Sequence, residues 1–180
     1  NLFLMPFYHM SPTAGKDHID RWNAWVPMDD ERTMRWIVAW HPSKPITEDD
    51  MAPYRTTDAS FQLLSPDEYE PQTSAAGGKW RTRAGKENDY LIDRALQRRF
   101  NYTGIIGPPT QDQAVTEGMG AIYDRTKEHL GSSDAGIIAA RRRLLRAIRA
   151  LDNGGVSPPG AVQPSVYRVR AADSLLPKEA

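Results

Sequence analysis

The run Arg21-Trp22-Asn23-Ala24-Trp25-Val26, the acidic Asp29-Asp30-Glu31 and the run Met34-Arg35-Trp36-Ile37-Val38-Ala39-Trp40 read together as a β-hairpin. In the first run Trp22, Ala24 and Val26 alternate with Arg21, Asn23 and Trp25, and in the second Met34, Trp36, Val38 and Trp40 share one face. The acidic trio serves as an exposed turn rather than a cation site. Its aromatic neighbours are expected to pack in the core or pair across strands before they touch any ligand.

Upstream of the hairpin, Asn1 to Met10 is apolar or aromatic almost throughout, and Ser11-Pro12-Thr13-Ala14-Gly15 supplies the turn chemistry to end one strand. Asn1 is not an initiator Met and the opening reads as the inside of a strand, so the N-terminal half of the domain is expected upstream. Downstream, residues 41–86 turn to Pro, Asp, Glu, Ser and Gly without periodicity, a long loop or insertion suited to covering a site or wrapping a neighbouring subunit.

Helical spacing then takes over. Tyr90, Leu91, Ile92, Ala95, Leu96 and Phe100 predict a short helix with one buried face, broken by residues 101–109. Thr110 and Gln113 stand at capping-box spacing and open a second helix, through Ala114, Val115, Met119, Ile122, Thr126 and Leu130, that ends at Gly131. A third follows from Ser132, burying Ile137, Ile138, Leu144, Leu145, Ile148 and Leu151 and closing at Asn153-Gly154-Gly155. These last two are expected to pack as a pair. If Gly131 takes positive φ past a helix end, Gly131→Val costs about 1 kcal/mol or more. Residues 1–155 are thus assigned to one domain and 156–180 to an extended polar tail.

Composition narrows the function. Lys plus Arg equals Asp plus Glu at 23 each, so no global field favours nucleic acid or an anionic membrane. Arg141, Arg142, Arg143, Arg146 and Arg149 lie largely opposite the apolar stripe, as a solvated helix face does. The absence of Cys excludes disulfides, thiol nucleophiles and Cys-ligated metal within these residues, and fits a cytoplasmic protein. No apolar run reaches the roughly 20 residues that span a bilayer.

Motifs carry more. Phe3-Leu4-Met5-Pro6-Phe7, Trp25-Val26-Pro27-Met28-Asp29-Asp30, Asp89-Tyr90-Leu91-Ile92-Asp93-Arg94, Asn101-Tyr102-Thr103-Gly104-Ile105, Gln111-Asp112, Glu117-Gly118-Met119-Gly120, Asp124-Arg125-Thr126, Glu128-His129-Leu130-Gly131 and Ser133-Asp134 follow one another in order. This series resembles the C-terminal region of phthalate dioxygenase-like Rieske non-heme iron oxygenases.

The resemblance implies an α+β helix-grip domain, a curved antiparallel sheet closed by C-terminal helices around mononuclear Fe(II). It implies two His ligands outside this chain and a carboxylate matching Asp112. Three ligands on one face leave the opposite face open for O2 and substrate, and imidazole with carboxylate suits Fe(II). It further implies a Rieske 2Fe-2S cluster in an upstream domain, a reductase, an aromatic substrate, and a homotrimer or dimer of trimers. Gln111 and Asn101 are expected to brace the carboxylate, and Phe7, His9 and Trp25 to line the substrate pocket.

Taken without the resemblance, Asp112 is a carboxylate at a helix start, worth roughly 0.3–1 kcal/mol against the helix dipole. His9, His18, His41 and His129 show no paired ligand spacing and are expected to be structural. Two other classes stay open: a helix-grip domain that binds a small ligand without iron, and a helical module that binds a polyanion through the arginine-rich helix with steep salt dependence.

Overall fold

The computed structural model describes residues 1–11, 19–55 and 63–171. Its strands are β1 (Leu2–Leu4), β2 (Tyr8–Ser11), β3 (Asp20–Pro27) and β4 (Thr33–Trp40). Its helices are α1 (Glu48–Met51), α2 (Arg94–Arg99), α3 (Pro108–Gly118), α4 (Ala135–Gly154) and α5 (Pro159–Val162). The architecture is α+β, and the chain divides into one unit from Asn1–Ile46 with Asp124–Ala180 and another from Thr47–Tyr123.

In the first unit the four strands form an antiparallel sheet in the order β1-β2-β3-β4. The hairpin stands where alternation placed it, with Trp22 opposite Val38 and Ala24 opposite Trp36. Its turn is closed by Asp29, whose Oδ1 accepts from the backbone of Glu31 at 2.9 Å and of Arg32 at 2.7 Å. Tyr8 and Met10 extend the Trp22–Ala24 face, whereas His9 lies beside Asn23 and Trp25 beside Arg35 on the other. There the buried Asn23 accepts from Arg35 Nε at 3.1 Å, and the guanidinium carbon lies 5.1 Å from the centre of the Trp25 ring.

The single strand expected over Asn1–Met10 is two strands. Pro6 offers no amide hydrogen to a ladder, so the chain turns at 5–7, where the Met5–Pro6 peptide is cis. The segment after 155 also departs from the extended form expected of it. It coils into α5 and a 3-10 turn, Pro164–Tyr167, and lies against the sheet. Tyr167 donates to the Met5 carbonyl at 2.5 Å and sets its ring edge-on to Tyr8. Arg170 Nε lies 2.8 Å from the carboxylate of Asp20, a residue only 3% exposed.

The long helix α4 begins and ends close to expectation, with Gly155 left-handed as its cap. The side predicted to be buried is only partly covered among the described residues: Ile138 and Leu144 are half-buried, but Ile137 is 48%, Leu145 52% and Ile148 60% exposed. A period of 3.6 marks a face made for burial without saying what buries it. Ahead of α4, Glu128 is gripped by both guanidinium nitrogens of Arg141, one at 2.9 Å, and by Arg125 at 2.9 Å. Hydrogen bonding from Arg141, assisted by Arg125, lowers the Glu128 pKa. A carboxylate depressed by folding contributes stability above its unfolded pKa and loses it as pH falls through the folded value. Glu128→Gln is therefore expected to lower the thermal midpoint at neutral pH, and the gap to wild type to close on acidification. A gap constant from neutral to acid pH contradicts that.

Gly131 precedes a 3-10 turn, Ser132–Asp134, with φ −96°, and a Cβ there meets nothing nearer than 3.9 Å. The left-handed penalty does not arise. Gly131→Val is expected to shift stability by no more than about 0.5 kcal/mol in a denaturation midpoint, correcting the cost inferred from sequence.

In the second unit, which takes up the region 41–86 from Thr47 on, the described residues are not bare loop. Thr47 and Asp50 form a capping box at α1, a 3-10 turn spans Pro66–Glu68, and Tyr69 bridges to Thr82. The single helix expected from Tyr90 to Phe100 is a pair of short turns over Lys86–Leu91, kinked at Asn88–Tyr90, followed by α2. The break falls where Asp93 caps α2 by accepting from Ala95 and Leu96 N–H. Neither Leu91 nor Phe100 is buried, at 61% and 73% exposed.

Helix α3 starts earlier and stops sooner than predicted. Gly107 is its N-cap and Pro108 its first residue, so Thr110 lies inside the helix rather than capping it. Gly118 ends it and Gly120, at φ +90°, turns the chain away. Helices α3 and α4 belong to different units.

Candidate functional site

Asp112 lies in the second turn of α3, one turn past Pro108 and not in the first turn anticipated from sequence, so the dipole gives it little. Its side chain is exposed, and its carboxylate makes no hydrogen bond or ion pair with the described residues. The helix beneath it packs on one side only. Thr116 Oγ1 donates to the Asp112 carbonyl at 2.8 Å, and Thr110 is 9% exposed on the far side.

Gln111 and Asn101 converge, though not on the carboxylate. Gln111 Nε2 donates to the Ile105 carbonyl at 3.0 Å and Asn101 Nδ2 to the same oxygen at 3.2 Å. Ile105 is itself buried, so that acceptor needs partners and obtains them from both amides. Asn101 Oδ1 also accepts from Gly104 N–H at 2.6 Å. Together these bonds lock the 101–107 segment that feeds α3, which makes both residues supports of the helix.

In the other unit an open groove of about 740 Å³ runs along the sheet, lined chiefly by Phe7, Tyr8, Met10, Trp22, Trp40 and Tyr167. Of the anticipated pocket residues, Phe7 lines this groove, while His9 and Trp25 lie on the opposite sheet face. The aromatic strand residues carried a sequence signal as a hydrophobic stripe. Tyr167 carried none, because its place depends on the chain's return past residue 155.

The histidines do not assemble a second donor set. His9 is partly buried, which lowers its pKa. His41 Nδ1 accepts from Ser43 N–H at 3.2 Å, leaving Nε2 buried without a hydrogen-bond partner among the described residues. His129 is exposed, and His18 lies outside the described residues. Among the described residues no three His, Asp or Glu side chains come together to hold a metal. Asp112 thus offers a single anionic donor, with no His, Asp or Glu set beside it among the described residues.

All of residues 1–180 match a family model described as LigXa C-terminal domain like. The chain belongs to that family. This LigXa C-terminal-like chain is 37% identical over 179 residues to the 3-chlorobenzoate-3,4-dioxygenase oxygenase subunit of Comamonas testosteroni, covering 98% of itself and 41% of that relative. It is 31% identical over 130 residues to the phthalate 4,5-dioxygenase oxygenase subunit of Pseudomonas putida, covering 72% of itself and 27% of that protein. The LigXa C-terminal-like chain is thus homologous to oxygenase subunits of Rieske-type aromatic dioxygenases and spans about two-fifths or less of the curated relatives it matches. No helix among the described residues is long and apolar enough to cross a membrane.

Proposed function

We propose that this chain is the C-terminal part of a helix-grip catalytic domain in a terminal oxygenase that hydroxylates or O-demethylates an aromatic carboxylate with O2. The observation that carries the proposal is a solvent-facing carboxylate on a helix tied at its neighbour Gln111 to the buried Ile105 carbonyl, in a chain of this family. An exposed Asp is ordinary on a helix, and it is the order of the family's motifs around Asp112 that marks it for a further role. As the anionic member of a two-His, one-carboxylate set, Asp112 offsets the charge of Fe(II) and leaves positions open for O2. When bound, mononuclear iron supplies O2 activation, with electrons from the Rieske 2Fe-2S cluster and a reductase.

The two imidazole ligands and the cluster belong to the remainder of the subunit, which is placed in the cytoplasm as a homotrimer or a dimer of trimers. The relatives named for 3-chlorobenzoate and phthalate act on ring carboxylates, which supports the substrate class. Asn101 and Gln111 hold the approach to α3, and so the height and roll of Asp112.

The aromatic groove favours a second reading, a small-ligand-binding domain that keeps no iron, since its volume of about 740 Å³ is that of an ordinary ligand site. The full-length subunit reconstituted with its reductase separates the two. Loss of iron and of aromatic oxidation together on changing Asp112 supports the oxygenase. Retention of both shows that a residue other than Asp112 holds the iron, and a wild type that carries no mononuclear iron and oxidises no aromatic substrate supports the binding domain.

A further inference from the structure

Helix α3 is held on both flanks of Asp112 and left open between them. Successive residues turn about 100° around a helix axis, so Gln111 lies about 100° to one side of Asp112, with Gln113 about 100° and Glu117 about 140° to the other. Gln111 is fixed to the Ile105 carbonyl. On the opposite flank Gln113 Nε2 donates to Glu117 Oε1 at 2.9 Å, its Oε1 accepts from Thr82 at 3.1 Å, and Tyr90 donates to Glu117 Oε2 at 2.8 Å. Both carboxylate oxygens of Glu117 are thereby engaged.

The segment that delivers Tyr90 is bent for the task. Asp89, Tyr90 and Leu91 all take positive φ, at 51°, 54° and 56°, a conformation that side-chain-bearing residues avoid. Gly85 accepts from Tyr90 N–H at 2.9 Å and Asn88 ties Gly85 N–H to the Arg83 carbonyl, which closes the bend. Three consecutive left-handed residues persist only where surrounding bonds hold them. Here they carry the Tyr90 hydroxyl to α3.

We infer that Tyr90, Glu117 and Gln113 are positioning residues that set the roll of α3 and so aim the Asp112 carboxylate. The inference rests on Asp112 being an iron ligand. A helix free to rotate about the Gln111 flank would present its carboxylate over an arc, and a metal selects one direction.

The test is Fe(II) titration of the iron-depleted full-length subunit with its 2Fe-2S cluster retained. Tyr90→Phe and Gln113→Leu are expected to weaken Fe(II) binding roughly tenfold, the low end for partners that orient a ligand. Cluster absorbance should not change. Glu117→Gln keeps affinity close to wild type, because its amide can accept from Gln113 and donate to the Tyr90 oxygen, whereas Glu117→Leu loses it. In an Asp112→Asn background Tyr90→Phe should cause no further loss. A lowered melting midpoint with unchanged affinity, or an equal loss in the Asp112→Asn background, overturns the positioning role alone. Wild-type affinity in Asp112→Asn itself overturns the ligand reading and this inference with it.

Discussion

Asp112→Ala in the full-length subunit is expected to lower coupled oxidation of an aromatic carboxylate by roughly 100-fold or more, at the upper end of effects on metal-site support, while the 2Fe-2S cluster remains visible in the absorbance spectrum. The size of the effect follows from ligand count. In the proposed ligand set, removing the one anionic donor would leave two neutral imidazoles, which would hold Fe(II) more weakly and no longer offset its charge. The structure makes the variant informative, because an exposed carboxylate without a partner has no fold to hold up. Stability should change by no more than about 0.5 kcal/mol, as for other surface positions. A large loss of turnover in an equally stable protein therefore reports chemistry. Full turnover in Asp112→Ala contradicts the assignment, and a collapse of stability moves the role of Asp112 from metal to fold.

Gly104→Val is expected to destabilise the protein by about 2–5 kcal/mol, combining a left-handed backbone with an overfilled contact. Gly104 has φ +69°, and a Cβ there falls 2.7 Å from the Asp93 carbonyl oxygen and 3.1 Å from Gln97 and Ile92 side chains. Its own groups are committed too, with its N–H on Asn101 Oδ1 and its carbonyl accepting from Asp93 N–H. Relief by backbone movement breaks the bonds that lock the approach to α3, so turnover should fall with stability. Gly104→Ala keeps the same strain with fewer atoms and should lie between Val and wild type. The check is the denaturant midpoint of each full-length variant, and a wild-type midpoint in Gly104→Val shows that the loop is not held as described.

The hairpin was legible because two local signals agree: period-two alternation in both runs, and an Asp able to close the turn on its own backbone. Helix α4 was legible for similar reasons, from its long apolar period to its glycine end. Its partly uncovered stripe was not, since burial depends on a partner that a linear pattern cannot name.

The α3 reading failed at both ends. Met119, Ile122, Thr126 and Leu130 keep helical spacing by coincidence, and Gly118 with Gly120 overrides it. The strand expected over 1–10 ignored Pro6, which was itself the signal. Asp112 stood out through the order of its neighbouring motifs, for nothing in its own spacing sets it above other surface acids. The convergence of Asn101 and Gln111 on one carbonyl, and the left-handed delivery of Tyr90 to Glu117, come from backbone geometry that residue types alone do not reveal.

The central claim is that Asp112 gives this chain's carboxylate to a mononuclear iron whose imidazole ligands lie elsewhere in the subunit. The most direct measurement is iron per subunit in full-length Asp112→Asn, with the 2Fe-2S absorbance as an internal count of folded protein. Asn keeps the size and hydrogen-bonding capacity of Asp and removes only the anionic donor. The expected variant retains its cluster iron and loses most of its mononuclear iron, whereas mononuclear iron at wild-type stoichiometry with coupled product formation would show that Asp112 is not the ligand.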